Sequence, residues 1–443
     1  MARLRGPRSR SASSNGPFSS RSFRLLWTGQ SINALGSMVS TLALPLLAVT
    51  RLHASTFYVG ALEAVEWVPS VLIGLQVGAL IDRARRKRLI MMAANLGQAA
   101  AFGSVPVTAA AGALSLGTLL AAAFAAGLFG VFFQTAYSPY VRSLVPADQL
   151  VAANGWLQSS QSAAQISGPP LGGLLVQAVG AATAITADAS SFILSLISLA
   201  LIRDPREAAA PAEHAGMWQE VRAGLHQLAD DPLLRAMAVV AALANLILTS
   251  IGAVEVVFLV RTVRVTAGTV GVMFAASGVG GLAGAVSASR INRLAGPRRV
   301  ARYAIACTAP FALLLPLTHR GPALPLFGVG AFAATFGIVL ASVTFATIRQ
   351  TRCPPELLGR VQAGSRLLTA ITIPLGALAG GAIGQHFGTR TSILASAIGY
   401  TVVGIVAAAG PLRQPEHTAA WPAPTEAAAA AALRQATTPS PPG

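Results

Sequence analysis

Apolar stretches of about 20 residues, the length an α-helix needs to cross about 30 Å of hydrocarbon, recur twelve times in this chain. They fall near 25–49, 57–80, 88–108, 115–136, 155–178, 182–202, 236–259, 268–289, 299–317, 322–345, 361–384 and 389–410. Barrel strands alternate over roughly ten residues, so runs this long read as membrane helices. The composition agrees. Of 443 residues, 53% are apolar and only 11% charged, whereas a globular domain carries roughly a quarter charged residues. The first run is too long for a signal-peptide core and is kept as a span.

Basic residues set the orientation, because cytoplasmic loops collect positive charge. With the N-terminus inside, 27 of the 32 basic residues fall on the inner side; Arg51, Arg261, Arg264, Arg320 and Arg390 fall outside. The net charge of +17 is then a product of topology, and no nucleic-acid partner is expected from arginines so dispersed. Lys87 is the single lysine, and it cannot form a P-loop, which excludes ATP hydrolysis by that route. Cys307 and Cys353 are the only cysteines and the six histidines form no HExxH pair, so neither a metal nor a cofactor is expected. No nucleophile, base and oxyanion set can be assembled, and an enzyme is not the reading.

The expected organisation is an all-α integral membrane protein of two six-helix bundles, 23–202 and 236–410, with both termini cytoplasmic. Residues 1–22 and 411–443 read as disordered tails, and 203–235 as a cytoplasmic linker. Within the linker Trp218, Val221, Leu225 and Leu228 recur at helical steps; lying on the inner leaflet and packing against the ends of the spans both fit this pattern. A shift of 207 residues superposes Arg83 on Arg290, Arg142 on Arg349, Leu150 on Leu357 and Gly173 on Gly380. Parallel six-span repeats are an architecture of secondary transporters, with the ligand between the halves near mid-membrane.

Two motifs carry a family resemblance. Gly78-Ala79-Leu80-Ile81-Asp82-Arg83-Ala84-Arg85-Arg86-Lys87 resembles the loop 2–3 signature of the major facilitator superfamily, departing only at Arg85. In this gating motif Gly78 permits close packing. Asp82, beside Arg83 and Arg86, is expected to cap the start of span 11 near Gly359 and Arg360, or to pair with Arg142. Gly155, then Gly168-Pro169-Pro170-Leu171-Gly172-Gly173, resembles the antiporter motif of the same superfamily, with Ala164 in place of one glycine. A small-residue ladder with proline lets helices bend and approach closely, and Gly278, Gly281 and Gly284 of span 8 are the expected opposing surface. Further segments, Phe23 to Trp27, Asp231 to Arg235, and Arg360 to Gly376, resemble the branch of macrolide efflux proteins and the enterobactin exporter. The resemblance covers about 23 to 410 and implies an exporter exchanging substrate for protons. Span 4 lacks the arginine common in drug-proton antiporters of that superfamily.

Ionisable groups at membrane depth cost about 2.5 to 3.5 kcal/mol on insertion scales and are functional candidates by default. Glu63 and Glu66 share one face of span 2, with Glu66 close to the bilayer centre, and are the preferred proton carriers. Asp188 and Glu255, further candidates, are expected nearer the outer headgroups. Asn33, Gln134, Gln158, Gln161, Gln165 and Arg366 are the cavity candidates. A cavity rich in amide and apolar groups suits bulky lipophilic molecules. The expected function is proton-coupled export of lipophilic or amphipathic organic compounds by a monomer in the bacterial cell membrane. Uptake symport or uniport of a small solute is the alternative, and a non-transporting receptor or scaffold the least favoured.

Overall fold

The computed structural model describes residues 16–202, 229–353, 355–410 and 412. The linker helix expected around Trp218, Val221, Leu225 and Leu228, residues 1–15 and, apart from Leu412, the tail over 411–443 lie outside the described residues. So do the side chains of Asp82, Arg360 and Arg366.

The first half consists of α1 (Arg21–Thr50), α2 (Thr56–Arg83), α3 (Lys87–Ala110), α4 (Leu116–Leu144), α5 (Leu150–Val179) and α6 (Ala181–Leu201). The second consists of α7 (Pro232–Val257, continued by a π-turn over Phe258–Val263), α8 (Ala267–Ala295), and α9 (Pro297–Thr308, continued as a 3-10 helix over Ala309–Leu317). It closes with α10 (Leu324–Arg352), α11 (Pro355–Phe387) and α12 (Thr389–Ala409). No strand occurs among the described residues. An apolar solvent leaves a spanning segment no alternative, since each backbone N–H and C=O must find its partner within the helix. Among the described residues eleven helices are long and apolar enough to span a bilayer. The expected fifth span is helical too, over 30 residues, but its serines and glutamines make it the least apolar of the set.

Helix ends follow local chemistry. Asp231 precedes Pro232 at the start of α7 and accepts from Leu233 N at 2.8 Å and Leu234 N at 3.1 Å, satisfying N–H groups that the first turn leaves free. This cap starts α7 four residues ahead of the expected boundary. Gly180 and Gly388 occupy φ of 84° and 86° at the α5–α6 and α11–α12 turns, a region essentially reserved for glycine. The chain is also helical earlier than the expected tail allows: Pro17–Ser19 form a 3-10 turn, and Phe18 packs edge-on against Phe23, Trp27 and Trp156. Aromatic burial of that kind holds a segment that composition alone reads as polar.

The internal repeat is visible in the element bounds. Helix α10 starts at 324 against 116 for α4, and α12 at 389 against 181 for α6, an offset of 208 where motif matching gives 207. Each half is a bundle, α1 packing on α5 and α6 and α7 on α11 and α12. Across the seam, α2 packs on α11 and α5 on α8. These two contacts lie at one end, the α5–α8 contact reaching as far as mid-helix. Gly60 of α2 lies against Ala377 and Gly381 of α11, Gly384 against Thr56, and Gly173 of α5 against Ala267 and Gly271 of α8. At the end bearing the chain termini, a Cβ on Gly74, Gly155 or Gly359 would meet nothing within 4 Å. The molecule is therefore sealed at one end and open at the end of its termini.

Candidate functional site

The seal is built from glycines because only their lack of a side chain lets helix backbones touch. A Cβ on Gly173 would stand 2.5 Å from the Ala267 carbonyl oxygen and 3.1 Å from Gly271 Cα. Gly168 and Gly172, from the same motif, pack instead on Met38 and Val39 of α1, and Gly155 faces open space. The backbone of Pro169 packs directly on Gly271, where a Cβ would clash with its carbonyl oxygen. Of the three glycines expected opposite α5, only Gly278 is there, against Gln165 and Ile166; Gly281 and Gly284 turn to α10, against Thr335 and Phe336. Gly268 and Gly271, ten and seven residues before Gly278, supply the rest, and the seven-residue step from Gly271 to Gly278 was the signal available in the sequence. Two polar contacts reinforce the seal. Gln177 accepts from Gly268 N at 3.1 Å, and Arg261, beyond α7, donates to the carbonyls of Ala54 at 2.8 Å and Val49 at 3.3 Å in the α1–α2 turn. Arg261 reads in the sequence only as an outer-loop charge.

The four membrane acids, spread over α2, α6 and α7, come together beneath this seal. Glu63 lies within electrostatic range of Glu66 on its own helix and of Glu255 on α7, and Glu66 within range of Asp188. The seam narrows here because Ala64, Ala253 and Ala377 of α2, α7 and α11 pack together. Glu63 and Glu255 are half-buried and Glu66 keeps accessible surface. Asp188 departs from expectation: it does not reach the headgroups but is fully buried. Its Oδ1 accepts from Ser191 at 3.2 Å and Ser37 at 3.5 Å, while Oδ2 is buried without a hydrogen-bond partner. The side chain points into the α1–α6 interface, where Gly36 of α1 leaves the room; a Cβ there would lie 3.0 Å from Oδ1.

A polar seam leads from Asp188 toward the open end. Ser191 also donates to Asn33 Oδ1 at 3.3 Å. One turn further, Ser195 accepts from Asn95 at 3.0 Å and Gln30 at 3.2 Å. Gln30 in turn lines a cavity of about 440 Å³ together with Ser31, Gln134, Tyr137, Asn154 and, on α5, Gln158 and Gln161. Gln134, Gln158 and Gln161 thus line one cavity, whereas Asn33 is bonded to Ser191 and Gln165, exposed, lies outside that lining with its backbone against Gly278 of α8. Gln30, Tyr137 and Asn154 were missed, although Asn154 extends the Gln158 and Gln161 stripe by one helical turn. In the gating segment, Gly78 is buried, and Arg83, Arg86 and Arg142 are exposed. The neighbouring Arg88 donates to the carbonyls of Ile202 and Ala200 and so closes the C-terminus of α6.

The arrangement of two repeated bundles, with a polar cavity lined by α1, α4 and α5 of the first, has counterparts of known kind. Residues 26–372 match the model of the Major Facilitator Superfamily. The chain is 25% identical to the uncharacterized MFS-type transporter YfiS of Bacillus subtilis over 87% of its length and 92% of that protein. It is 27% identical to the multidrug efflux pump Tap of Mycobacterium tuberculosis over 84% of its length and 90% of Tap. Macrolide efflux protein A of Streptococcus pyogenes is 26% identical over 42% of this chain and 45% of its own. Among solved structures, the nucleoside transporter NupG superposes with a TM-score of 0.70 at 12% identity, covering 89% of this chain and all of NupG. With that match over most of its length, the chain belongs to the major facilitator superfamily and is a multi-pass membrane transporter, not an enzyme.

Proposed function

We propose that the protein is a twelve-span, proton-coupled exporter of lipophilic or amphipathic organic compounds, with both termini cytoplasmic and the described state open inward. The observation that carries this reading is the chain of acids Asp188, Glu66, Glu63 and Glu255, which crosses the seam between the halves directly below its glycine seal. Ionised, Glu63 and Glu255 repel across a seam of low dielectric; neutral, they let α2, α7 and α11 close. A proton acquired from outside therefore favours sealing the outer end, and its loss to the cytoplasm favours reopening it. An ion can move such an equilibrium only by binding its two states unequally, and a repulsion present in one state alone meets that condition. Substrate enters the cavity around Gln134, Gln158 and Gln161, whose amides and flanking apolar surface suit bulky organic molecules. Relatives named as macrolide and multidrug efflux proteins support export over uptake.

Everted vesicles carrying the wild type or Glu66→Gln, loaded with lipophilic dyes under an imposed pH gradient, test the scheme. The variant is expected to fold and bind dye while losing gradient-driven accumulation. Wild-type rates from that variant and from Glu63→Gln would refute it.

A further inference from the structure

Two stripes of oxygen-bearing side chains face each other across the α1–α6 interface. On α1 they are Asn33, Ser37 and Ser40, spaced by four and three residues, and on α6 Asp188 and Ser191, spaced by three, so each set shares one helix face. Asp188, Ser40 and Ser191 are 0%, 2% and 3% exposed, and all three serines surround the one carboxylate. Gly36 lets α6 come this close, since a Cβ there would collide with Ser191 Oγ. The hydrogen bonding of the cluster is incomplete. Ser191 has a single proton, and its shortest acceptor is the Asp188 backbone carbonyl at 2.7 Å; Asp188 Oδ1 and Asn33 Oδ1 lie farther off, at 3.2 Å and 3.3 Å. Ser37 stands 3.5 Å from Oδ1, well beyond the roughly 2.5–2.7 Å of a hydroxyl bonded to a carboxylate. Asp188 Oδ2 and Ser40 Oγ are buried without a hydrogen-bond partner. A proton on the carboxylate would serve one of these oxygens, whereas a cation among them would serve them all.

We propose that this cluster is a sodium-binding site, with Asp188 supplying the charge and Asn33, Ser37, Ser40 and Ser191 the neutral oxygens. The spacing suits that ion. An octahedral cation about 2.4 Å from its ligands, a distance typical of calcium and of the equally large sodium, holds neighbouring oxygens about 3.4 Å apart, whereas magnesium at about 2.0–2.1 Å draws them to about 2.9 Å. The separations of 3.2 Å, 3.3 Å and 3.5 Å match the larger size. Charge selects between its two bearers: one carboxylate neutralises a monovalent ion, while a divalent ion would leave net positive charge buried at membrane depth. Glu66, the acid within electrostatic range of Asp188, lies on α2 and keeps accessible surface. The polar seam from Gln30 through Ser195 and Asn33 leads the ion in from the cavity, and once bound it ties α1 to α6. The proposal goes beyond the exporter reading: sodium neutralises Asp188 and leaves Glu63, Glu66 and Glu255 to the proton.

Equilibrium binding of radioactive sodium to the purified protein, read by scintillation proximity with sodium, potassium and calcium as competitors, tests it. The wild type is expected to bind saturably and to release the label to sodium but not to potassium or calcium. Asp188→Asn is expected to lose binding, and Ser37→Ala and Ser40→Ala each to weaken it about tenfold or more. No saturable binding by the wild type overturns the proposal, as does unchanged affinity in Asp188→Asn or in both serine variants, or displacement by calcium ahead of sodium. Thermal melting in detergent checks folding and repeats the test: sodium is expected to raise the midpoint of the wild type and of Glu66→Gln but not that of Asp188→Asn. Because Glu66→Gln removes the proton carrier and keeps every sodium ligand, sodium binding by that variant separates a failure of this site from a failure of the proton scheme.

Discussion

Gly173→Ala places one methyl group where α5 and α8 touch at the sealed end. The new carbon would stand 2.5 Å from the Ala267 carbonyl oxygen, 3.1 Å from Gly271 Cα and 3.2 Å from Gly271 N. All three are backbone atoms, so no side chain can swing aside, and the helices must part by about 1 Å to regain van der Waals contact. Overpacking of this kind costs about 1–3 kcal/mol. Alanine also gains about 0.5–1 kcal/mol over glycine inside a helix, but α5 stays helical in either conformation, so that gain cancels from the conformational equilibrium. What remains is a bias of about 5- to 150-fold against the sealed state. Spin labels at Val179 and Arg264, both exposed at the sealed end, in a background lacking Cys307 and Cys353, report the α5–α8 separation by pulsed EPR. The variant is expected to gain a long-distance population. An unchanged distance distribution, in a protein that melts normally, would refute the claim that backbone contact at Gly173 holds the seal.

Arg261→Gln removes the donors to Val49 and Ala54 and is expected to speed maleimide labelling of a cysteine placed at Ala54, which is buried in the sealed state; an unaltered labelling rate would show that Arg261 plays no part in closure. Asp231 caps α7 and binds Arg352 Nε at 2.8 Å while itself buried. Asp231→Ala is expected to cost about 2–4 kcal/mol, from the lost cap and a pair whose arginine is partly exposed, and Asp231→Asn less, because an amide still caps. Thermal unfolding in detergent ranks the two, and equal melting points would contradict the pairing.

The gating and antiporter motifs were recognisable as strings, but their partners were not. Gly172 and Gly173 are adjacent in sequence and yet face α1 and α8 respectively, since neighbouring positions on a helix point about 100° apart. The expected opposing glycines of α8 divide in the same way between α5 and α10. Burial was harder still to foresee. Asp188 lies only about 10 Å from the start of α6 by helical rise, a depth at which a carboxylate facing lipid reaches headgroups; the rotation of α6 toward Gly36 turns it inward instead.

What the sequence determined alone is the helical, multi-pass character: twelve apolar runs leave the backbone no other way to satisfy its hydrogen bonds in hydrocarbon. It also placed the duplication and most of the helix boundaries, because caps, glycine turns and arginine-rich loops act locally. Tertiary structure decided which acids meet, which glycines touch and which end is closed. Those properties depend on the rotation and tilt of each helix about its axis, which lipid-facing and bundle-facing apolar residues, alike in composition, do not encode along the chain.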